Sequence, residues 1–192
     1  MTRIGIFGGT FDPVHNGHLM LAHAALTELS LDRLHLIPAA QSPFKPDDPP
    51  AGNGARIELL GLAFGTMPNC QIDPQELERG GTSYTIDTVR DYTTRHPGAE
   101  IFCLIGADHV PTLPKWREAD SLAELANFAA VPRPGETPTN FPAPFRGQWL
   151  RGAPIDVAAS DIRARVREGR DFKHLVPAPV AGAICELKLY AH

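Results

Sequence analysis

The N-terminal segment limits the possible folds of this chain more than any other part of it. Arg3 to Phe7 is a short apolar run that ends in two glycines, which is typical of a buried parallel strand followed by a tight turn. From Leu19 to Leu26, apolar residues recur at helical spacing, and this spacing predicts a helix that begins near Gly17. The segment therefore predicts a strand, a glycine-rich loop and a helix N-terminus in direct succession.

That arrangement is suited to binding anions. Gly8 and Gly9 allow the backbone to approach a ligand closely, and the first N–H groups of a helix are unpaired and lie at the positive end of its dipole. His15 and His18 are three residues apart at the predicted start of the helix, so both rings can reach the same phosphate. Imidazoles there can donate hydrogen bonds to charge that develops on a phosphate, without the fixed charge of a lysine.

The alternative is that the glycines only shape a turn and the histidines are ordinary surface residues. A single glycine pair or a single histidine favours that alternative. The complete string GGTFDPVHNGH favours a phosphate site, because a simple turn needs neither two histidines nor an adjacent aspartate. The string lacks both G-x-G-x-x-G and a GK[ST] ending, which disfavours a conventional dehydrogenase and a P-loop NTPase.

Composition narrows the class of protein further. A chain of 192 residues, 43% of them hydrophobic, is long enough for an α/β domain with a sizeable core, and we expect a single domain over residues 1–192. The net charge is −4 and no run of Lys or Arg is present, so nucleic acid and membrane surfaces are disfavoured as partners. Three widely spaced cysteines indicate neither a disulfide framework nor a zinc site. No signal peptide or membrane span is apparent, so we expect a cytoplasmic protein, and a homo-oligomer is compatible with the sequence.

Apolar runs and helical patterns alternate along the rest of the chain. Strands are predicted over residues 33–38, 70–73, 100–105 and 128–132, and helices over residues 56–64, 85–95, 121–126 and 160–168. We expect a turn over residues 78–81 and a mostly irregular, proline-rich excursion over residues 132–154, anchored by Phe141, Phe145 and Trp149. The alternation predicts an α/β fold with a central, mainly parallel sheet flanked by helices.

Polar residues follow two of these strands and begin two of these helices. Asp108 comes directly after one predicted strand and Arg133 after the next, so we expect both at the sheet edge where parallel α/β sheets bind ligands. An aspartate there can accept hydrogen bonds from a ribose or from a group near a reacting phosphate, although an isolated one is more often a loop or cap residue. An arginine can donate two parallel hydrogen bonds to a phosphate. Ser83 or Thr85 is expected to cap one helix, and Ser160 another.

Together these motifs resemble the nucleotidyltransferase superfamily, whose (H/T)xGH signature matches residues 15–18. Within it, the chain is most similar to the bacterial nicotinate-nucleotide adenylyltransferase family, through SYTIDT at residues 83–88, GAD at 106–108, LPKW at 113–116 and SDIR at 160–163. Four positions depart from the family pattern, and two of the changes are milder, with Ser42 in place of a proline and Ser160 in place of a threonine. Phe44 stands where the family's P-P-H-K sequence has histidine, and Ala158 stands where a serine is usual.

The resemblance implies a Rossmann-like nucleotidyltransferase domain that transfers an adenylyl group from ATP to nicotinate mononucleotide, giving deamido-NAD and pyrophosphate in NAD biosynthesis. It assigns the catalytic work of holding the triphosphate to His15, His18, Lys45 and Arg163. Lys45 taken alone is equally compatible with a solvated loop residue. The implied cofactor is a Mg²⁺ ion that bridges phosphates of ATP without a dedicated carboxylate cage.

The resemblance also assigns the two substrates to residues. For ATP these are Gly8, Gly9, Thr10, Phe11, His15, His18, Gly106, Asp108, Ser160, Ile162 and Arg163. For nicotinate mononucleotide they are Tyr84, Thr85, Trp116 and Arg133. The tryptophan is expected to stack on the pyridine ring, although a tryptophan beside a proline can also belong to a core or an interface.

Two alternative functions stay open on the sequence alone. One is a different adenylyl- or cytidylyltransferase of the same superfamily, which SYTIDT and LPKW disfavour. The other is a nucleotide-binding sensor that keeps the fold but has lost catalysis, and only the departures at Phe44 and Ala158 favour it.

Overall fold

A computed structural model describes residues 1–43, 50–135, 137–153 and 155–191. The strands within these ranges are β1 (Arg3–Gly9), β2 (Arg33–Pro38), β3 (Cys70–Ile72), β4 (Glu100–Leu104), β5 (Asn127–Ala130) and β6 (Gly147–Trp149). They form one six-stranded sheet in the order β3-β2-β1-β4-β5-β6, and each of these neighbouring pairs is parallel. The α/β architecture with a parallel central sheet is therefore confirmed.

Helices cover both faces of the sheet. They are α1 (Asn16–Glu28), α2 (Asn53–Phe64), α3 (Gln75–Arg79), α4 (Thr85–Arg95), α5 (Ala119–Leu125), α6 (Ala159–Arg167) and α7 (Ala178–Glu186), with 3₁₀ helices at Ala107–Lys115 and Lys173–Leu175. Buried residues of α1, α2, α6 and α7 share one hydrophobic cluster, whereas those of α4, α5 and the first 3₁₀ helix share the other. Across the described ranges, no helix is both long and apolar enough to cross a membrane.

The central strands are buried on both sides. In β4, Phe102 and Leu104 pack into the first cluster, while Ile101 and Cys103 pack into the second. Side chains alternate between the faces of a strand, so a strand covered on both faces reads as a continuous apolar run. This explains why the apolar run over residues 100–105 was strong enough to predict the strand.

The site is positioned by the point where the strand order reverses. From β1 the chain moves outward through β2 and β3, then returns to place β4 on the other side of β1. Phe7 is the last residue of β1 that pairs with β4, whereas Gly8 and Gly9 continue to pair with β2. The loops that follow β1 and β4 therefore leave the sheet in different directions, and such a switch point opens a crevice at the carboxyl ends of the strands.

Several local predictions need correction. The proline-rich excursion contains an additional strand, β6, although Phe145 is buried and Phe141 packs on Trp149 as predicted. The turn predicted over residues 78–81 overlaps the end of α3, and only its two glycines form the turn, both with φ of +69°.

The predicted helix caps are also wrong. The N-cap of α4 is Tyr84 and that of α6 is Ala158, and neither forms a side-chain capping bond. Ser83 instead accepts a hydrogen bond from the backbone N–H of Ala40 at 3.0 Å, so this serine ties the loop after β2 to the start of α4.

Candidate active site

A cleft of about 530 Å³ opens at the carboxyl ends of β1 and β4. Its walls come from the loop after β1, the first turn of α1, the start of α4, the segment from Gly106 to Arg117, and the start of α6. Among the residues that the sequence predicted to bind substrates, those lining the cleft are Gly8, Gly9, Thr10, Phe11, His15, His18, Tyr84, Thr85, Gly106, Asp108, Trp116, Arg133 and Arg163. The fold thus brings together residues separated by more than a hundred positions.

Three predicted site residues stand apart from that group. The side chain of Ile162 is fully buried in the hydrophobic cluster, and neither Ile162 nor Ser160 is among the described residues that line the cleft. Because the N-cap of α6 lies two residues earlier than predicted, the side chain that points from it belongs to Ala158, which offers no hydroxyl. Lys45 and the neighbouring Phe44 lie outside the described residues.

His15 and His18 form a stacked pair at the N-terminus of α1. Their ring centroids are 3.7 Å apart with an angle of 27° between the planes. The backbone N–H of His15, the N-cap residue, donates to Nδ1 of His18 at 3.1 Å. Since Nδ1 is the acceptor, the proton of a neutral His18 ring resides on Nε2, which makes Nε2 a hydrogen-bond donor.

Burial keeps both imidazoles neutral near pH 7. It lowers the pKa of His15 from 6.5 to about 4, because a charged ring would lose its hydration. Burial also lowers the pKa of His18 well below its usual value, and repulsion from a charged His15 lowers it further. In the described part of the chain, Nδ1 of His15 is buried without a hydrogen-bond partner, which is a costly state that a ligand can relieve.

The loop between β1 and α1 holds this pair in place. Phe11 is buried and has a positive φ of 49°, an uncommon conformation for a side chain of this size. Its ring centroid is 4.9 Å from that of His18 and 5.3 Å from that of Phe7. A Cβ atom at Gly17 would lie 2.9 Å from Val157 and 3.1 Å from Nδ1 of His15, so glycine is needed for the close approach of these groups.

Arg163 reaches the same loop from α6. Its Nη1 donates to the backbone carbonyl of Asp12 at 2.8 Å and lies 3.6 Å from Oδ2 of that residue. Oδ1 of Asp12 accepts hydrogen bonds from the hydroxyl of Tyr190 at 2.7 Å and from the backbone N–H of Ala51 at 3.2 Å. The arginine side chain is only 15% exposed, so a planar cation is held at the cleft wall with little freedom to reorient.

A second group of cleft-lining residues, at α4 and Trp116, has a different chemical character. The first turn of α4 belongs to this group, and its early backbone N–H groups lie at the positive end of the helix. Trp116 stands beside it, with its indole N–H donating to Thr112 at 3.2 Å and its ring packed edge-on against His109. The tryptophan therefore presents a fixed aromatic surface near a helix N-terminus.

Asp108 and Arg133 also line the cleft, just after β4 and β5. Their side chains are more than half exposed, and Nη2 of Arg133 is 3.5 Å from Oδ1 of Asp108. A Cβ atom at Gly106 would lie 2.7 Å from the same Oδ1, so this glycine leaves room for the carboxylate. The prediction that both residues share one edge of the sheet is confirmed.

Comparison with known proteins connects this geometry to a family. Residues 6–165 match the cytidylyltransferase-like family. A probable nicotinate-nucleotide adenylyltransferase of Gemmatimonas aurantiaca is 38% identical over 195 residues, covering 98% of this chain and 92% of that protein. The nicotinate-nucleotide adenylyltransferase of Bacillus subtilis is 38% identical over 193 residues, covering 99% of both chains.

The chain belongs to the nicotinate-nucleotide adenylyltransferase family. Its fold is likewise similar to that of Plasmodium falciparum nicotinic acid mononucleotide adenylyltransferase, solved as a complex with APC, with a TM-score of 0.79 at 15% identity over 99% of this chain and 98% of that one. The family resemblance drawn from the sequence motifs is therefore confirmed.

For this adenylyltransferase, the sequence reasoning missed three polar residues that support the site, of which Arg56 and Glu76 are buried and Tyr190 is half-buried. Arg56 of α2 is fully buried and donates to the carbonyls of Thr10 and Ala39 at 2.9 and 2.8 Å, which fixes the ends of β1 and β2 relative to each other. Tyr190 holds Asp12 from the C-terminal segment. Glu76 lines the cleft behind α4, where burial raises its carboxyl pKa and the hydroxyl of Thr88 donates to it. None of the three belongs to a motif, so no sequence signal indicated them.

Proposed function

We propose that this protein transfers the adenylyl group of ATP to nicotinate mononucleotide, with deamido-NAD and pyrophosphate as products. The observation that carries the proposal is a single cleft lined by two chemically distinct groups of residues. One group has a neutral histidine pair, a helix N-terminus and a half-buried arginine, which suit a triphosphate. The other group has a second helix N-terminus beside a fixed indole, which suits an acidic aromatic ring.

The reaction is a direct displacement at the α-phosphorus of ATP. An oxygen of the mononucleotide phosphate forms a bond to that phosphorus, and the bond to the bridging oxygen breaks, so that its electron pair leaves with pyrophosphate. No protein nucleophile is required, and the protein contributes positioning and charge stabilisation. His18 serves as a donor through Nε2 to charge that develops on the transferring group, and His15 supports it by stacking and through its backbone N–H.

Arg163 and Lys45 are the proposed cations for the leaving pyrophosphate. The guanidinium of Arg163 is oriented by Asp12, so it can neutralise charge as the bond between the α-phosphorus and the bridging oxygen breaks. In this proposal the part of the cleft that binds ATP is lined by the loop after β1, which consists of Gly8, Gly9, Thr10 and Phe11.

Mg²⁺ is the proposed cofactor, and it would neutralise phosphate charge when it enters with ATP. Mg²⁺ typically keeps several waters and binds substrate phosphates together with one or two carboxylates. Asp108 would suit that mode, since it provides an exposed carboxylate that lines the cleft.

Nicotinate recognition is assigned to the start of α4. Backbone N–H groups at Tyr84 and Thr85 would bind a carboxylate more strongly than an amide. A carboxylate accepts hydrogen bonds from several donors and is favoured by the helix dipole. Trp116 supports the ring, and Arg133 lines the cleft where the mononucleotide phosphate would enter.

The test is pyrophosphate release with a matrix of nucleoside triphosphates and phosphorylated acceptors. We expect release with ATP and nicotinate mononucleotide, and a mass corresponding to deamido-NAD. Efficient release with CTP or with a phosphopantetheine acceptor would assign another transferase activity. Nucleotide binding without release for any pair would indicate a sensor and contradict the proposal.

A further inference from the structure

Arg117 lies beside the proposed nicotinate-binding residues although it belongs to no motif used above. It lines the cleft, and its guanidinium carbon is 4.6 Å from the centre of the Tyr84 ring. Tyr84 is the N-cap of α4, so the cation stands next to the helix N-terminus that the proposed function assigns to the ring carboxylate. We propose that Arg117 is a specificity-determining residue that favours the acidic pyridine mononucleotide over its amide.

Three contacts hold the guanidinium in this position. The aromatic face of Tyr84 attracts the cation, Oδ2 of Asp87 lies 3.7 Å from Nη1, and Oε1 of Glu118 lies 3.9 Å from Nε. Both acidic contacts are longer than a normal hydrogen bond, so neither carboxylate takes up the donors of Arg117 in close geometry. The side chain is 51% exposed, which leaves it accessible to a substrate in the cleft.

The positive charge of Arg117 affects how strongly the site prefers a ring carboxylate over a ring carboxamide. SYTIDT contains no lysine or arginine, so this string alone would leave discrimination between acid and amide to backbone donors. Arg117 adds positive charge beside the helix end, and the carboxylates of Asp87 and Glu118, at 3.7 and 3.9 Å, offset only part of it because neither forms a close hydrogen bond. It attracts a carboxylate and has little net attraction for a neutral carboxamide, so its effect is confined to the acid.

Arg90 offers a matched control within the same group of charges. It also contacts Glu118, with Nη2 at 2.5 Å from Oε2, and it is similarly exposed at 47%. Arg90 is not among the described residues that line the cleft. Replacing it therefore removes one positive charge from the Glu118 network without removing a charge from the cleft.

The inference rests on the proposed function and is tested by the ratio of kcat/KM for nicotinate mononucleotide to kcat/KM for nicotinamide mononucleotide. Arg117→Gln is expected to lower this ratio about three- to tenfold, the size expected for one partly solvated charge pair, through a higher KM for the acid. Arg117→Lys should keep most of the ratio because it keeps the charge. Arg90→Gln should keep it fully.

The dependence of this kcat/KM ratio on salt concentration distinguishes an electrostatic role of Arg117 from a purely structural one. Raising the ionic strength should lower the ratio more steeply in the unaltered protein than in Arg117→Gln, because screening weakens an exposed charge pair. An unchanged ratio in Arg117→Gln, or an equal fall in Arg90→Gln, would overturn this inference and leave the proposed function intact. Absence of any preference for the acid in the unaltered protein would instead count against the proposed function itself.

Discussion

The hydroxyl of Tyr190 donates a 2.7 Å hydrogen bond to Oδ1 of Asp12, a residue 178 positions earlier in the chain. Through this bond the C-terminal segment orients the same aspartate whose carbonyl and carboxylate face Arg163. The pKa of Tyr190 is raised by burial and by this bond to the carboxylate, so the hydroxyl stays protonated and remains the donor. The C-terminal segment is thereby linked to the loop between β1 and α1, which contains Asp12.

Tyr190→Phe should therefore destabilise the protein by about 1–2 kcal/mol, as expected for loss of a part-buried hydrogen bond to a charged group. The free energy of unfolding in urea measures this loss. The same substitution in an Asp12→Asn background should have a smaller effect, because the charged acceptor is already gone. Equal effects in both backgrounds would show that the Tyr190 hydroxyl does not act through Asp12.

His18→Ala should lower kcat by roughly 100-fold or more while leaving the fold intact, because it removes a donor to the transferring phosphate. Steady-state kinetics with saturating ATP measures the change. His23 is a suitable control, since it is an exposed histidine of the same helix that does not line the cleft. Near-normal turnover in a folded His18→Ala protein would contradict the role given to the histidine pair.

Arg163→Lys should lower kcat/KM for ATP by about tenfold or more, because an ammonium cannot reproduce the planar fork that contacts Asp12 and that, in the proposed function, binds the phosphates. Arg165→Lys is the matched control, as Arg165 of the same helix pairs with Asp161 and does not line the cleft. Kinetics with each substrate varied separately locate the defect. A fall in kcat/KM for the mononucleotide alone would show that Arg163 binds the mononucleotide and not ATP.

The stability of the ligand-free protein should fall as the pH drops from about 6.5 towards 4. The pKa of His15 is about 4 in the folded chain, against 6.5 for a fully hydrated histidine, so between these values the unfolded state binds the proton more readily. The stabilisation is complete above pH 6.5, and its loss by pH 4 amounts to at most about 3 kcal/mol for this residue.

Urea unfolding at several pH values, compared between the unaltered protein and His15→Gln, isolates this contribution. The variant should lose less stability over the same pH range, because glutamine does not titrate. Parallel pH profiles for the two proteins would mean that His15 is not held neutral by burial.

The parts of the fold and site that the sequence predicted are those coded by local patterns. Continuous apolar runs identified β1, β2 and β4, because these strands are buried on both faces. The histidine pair and the glycines were found because the loop and the helix N-terminus that position them are neighbours in sequence. Asp108 and Arg133 were placed together because parallel strands bring their carboxyl ends to one edge.

The parts that were missed depend on tertiary contacts. β6 is a three-residue edge strand that is mostly exposed, so it carries no hydrophobic alternation. Arg56 is the first residue of a predicted helix and carries no motif signal, yet it donates to the carbonyls of Thr10 and Ala39 in two distant loops. Ser83 and Ser160 are residue types that favour caps, but the helices begin at other positions.

Recognition of the nicotinate ring is tested most sharply by kcat/KM for nicotinate and nicotinamide mononucleotides at equal ATP, with the dinucleotide product identified by mass. Leaving one backbone donor poorly paired with the amide costs on the order of 1–3 kcal/mol, so we predict that the acid is preferred by at least about fivefold. Equal values, or a preference for the amide, would contradict the assignment of the α4 N-terminus to the nicotinate ring.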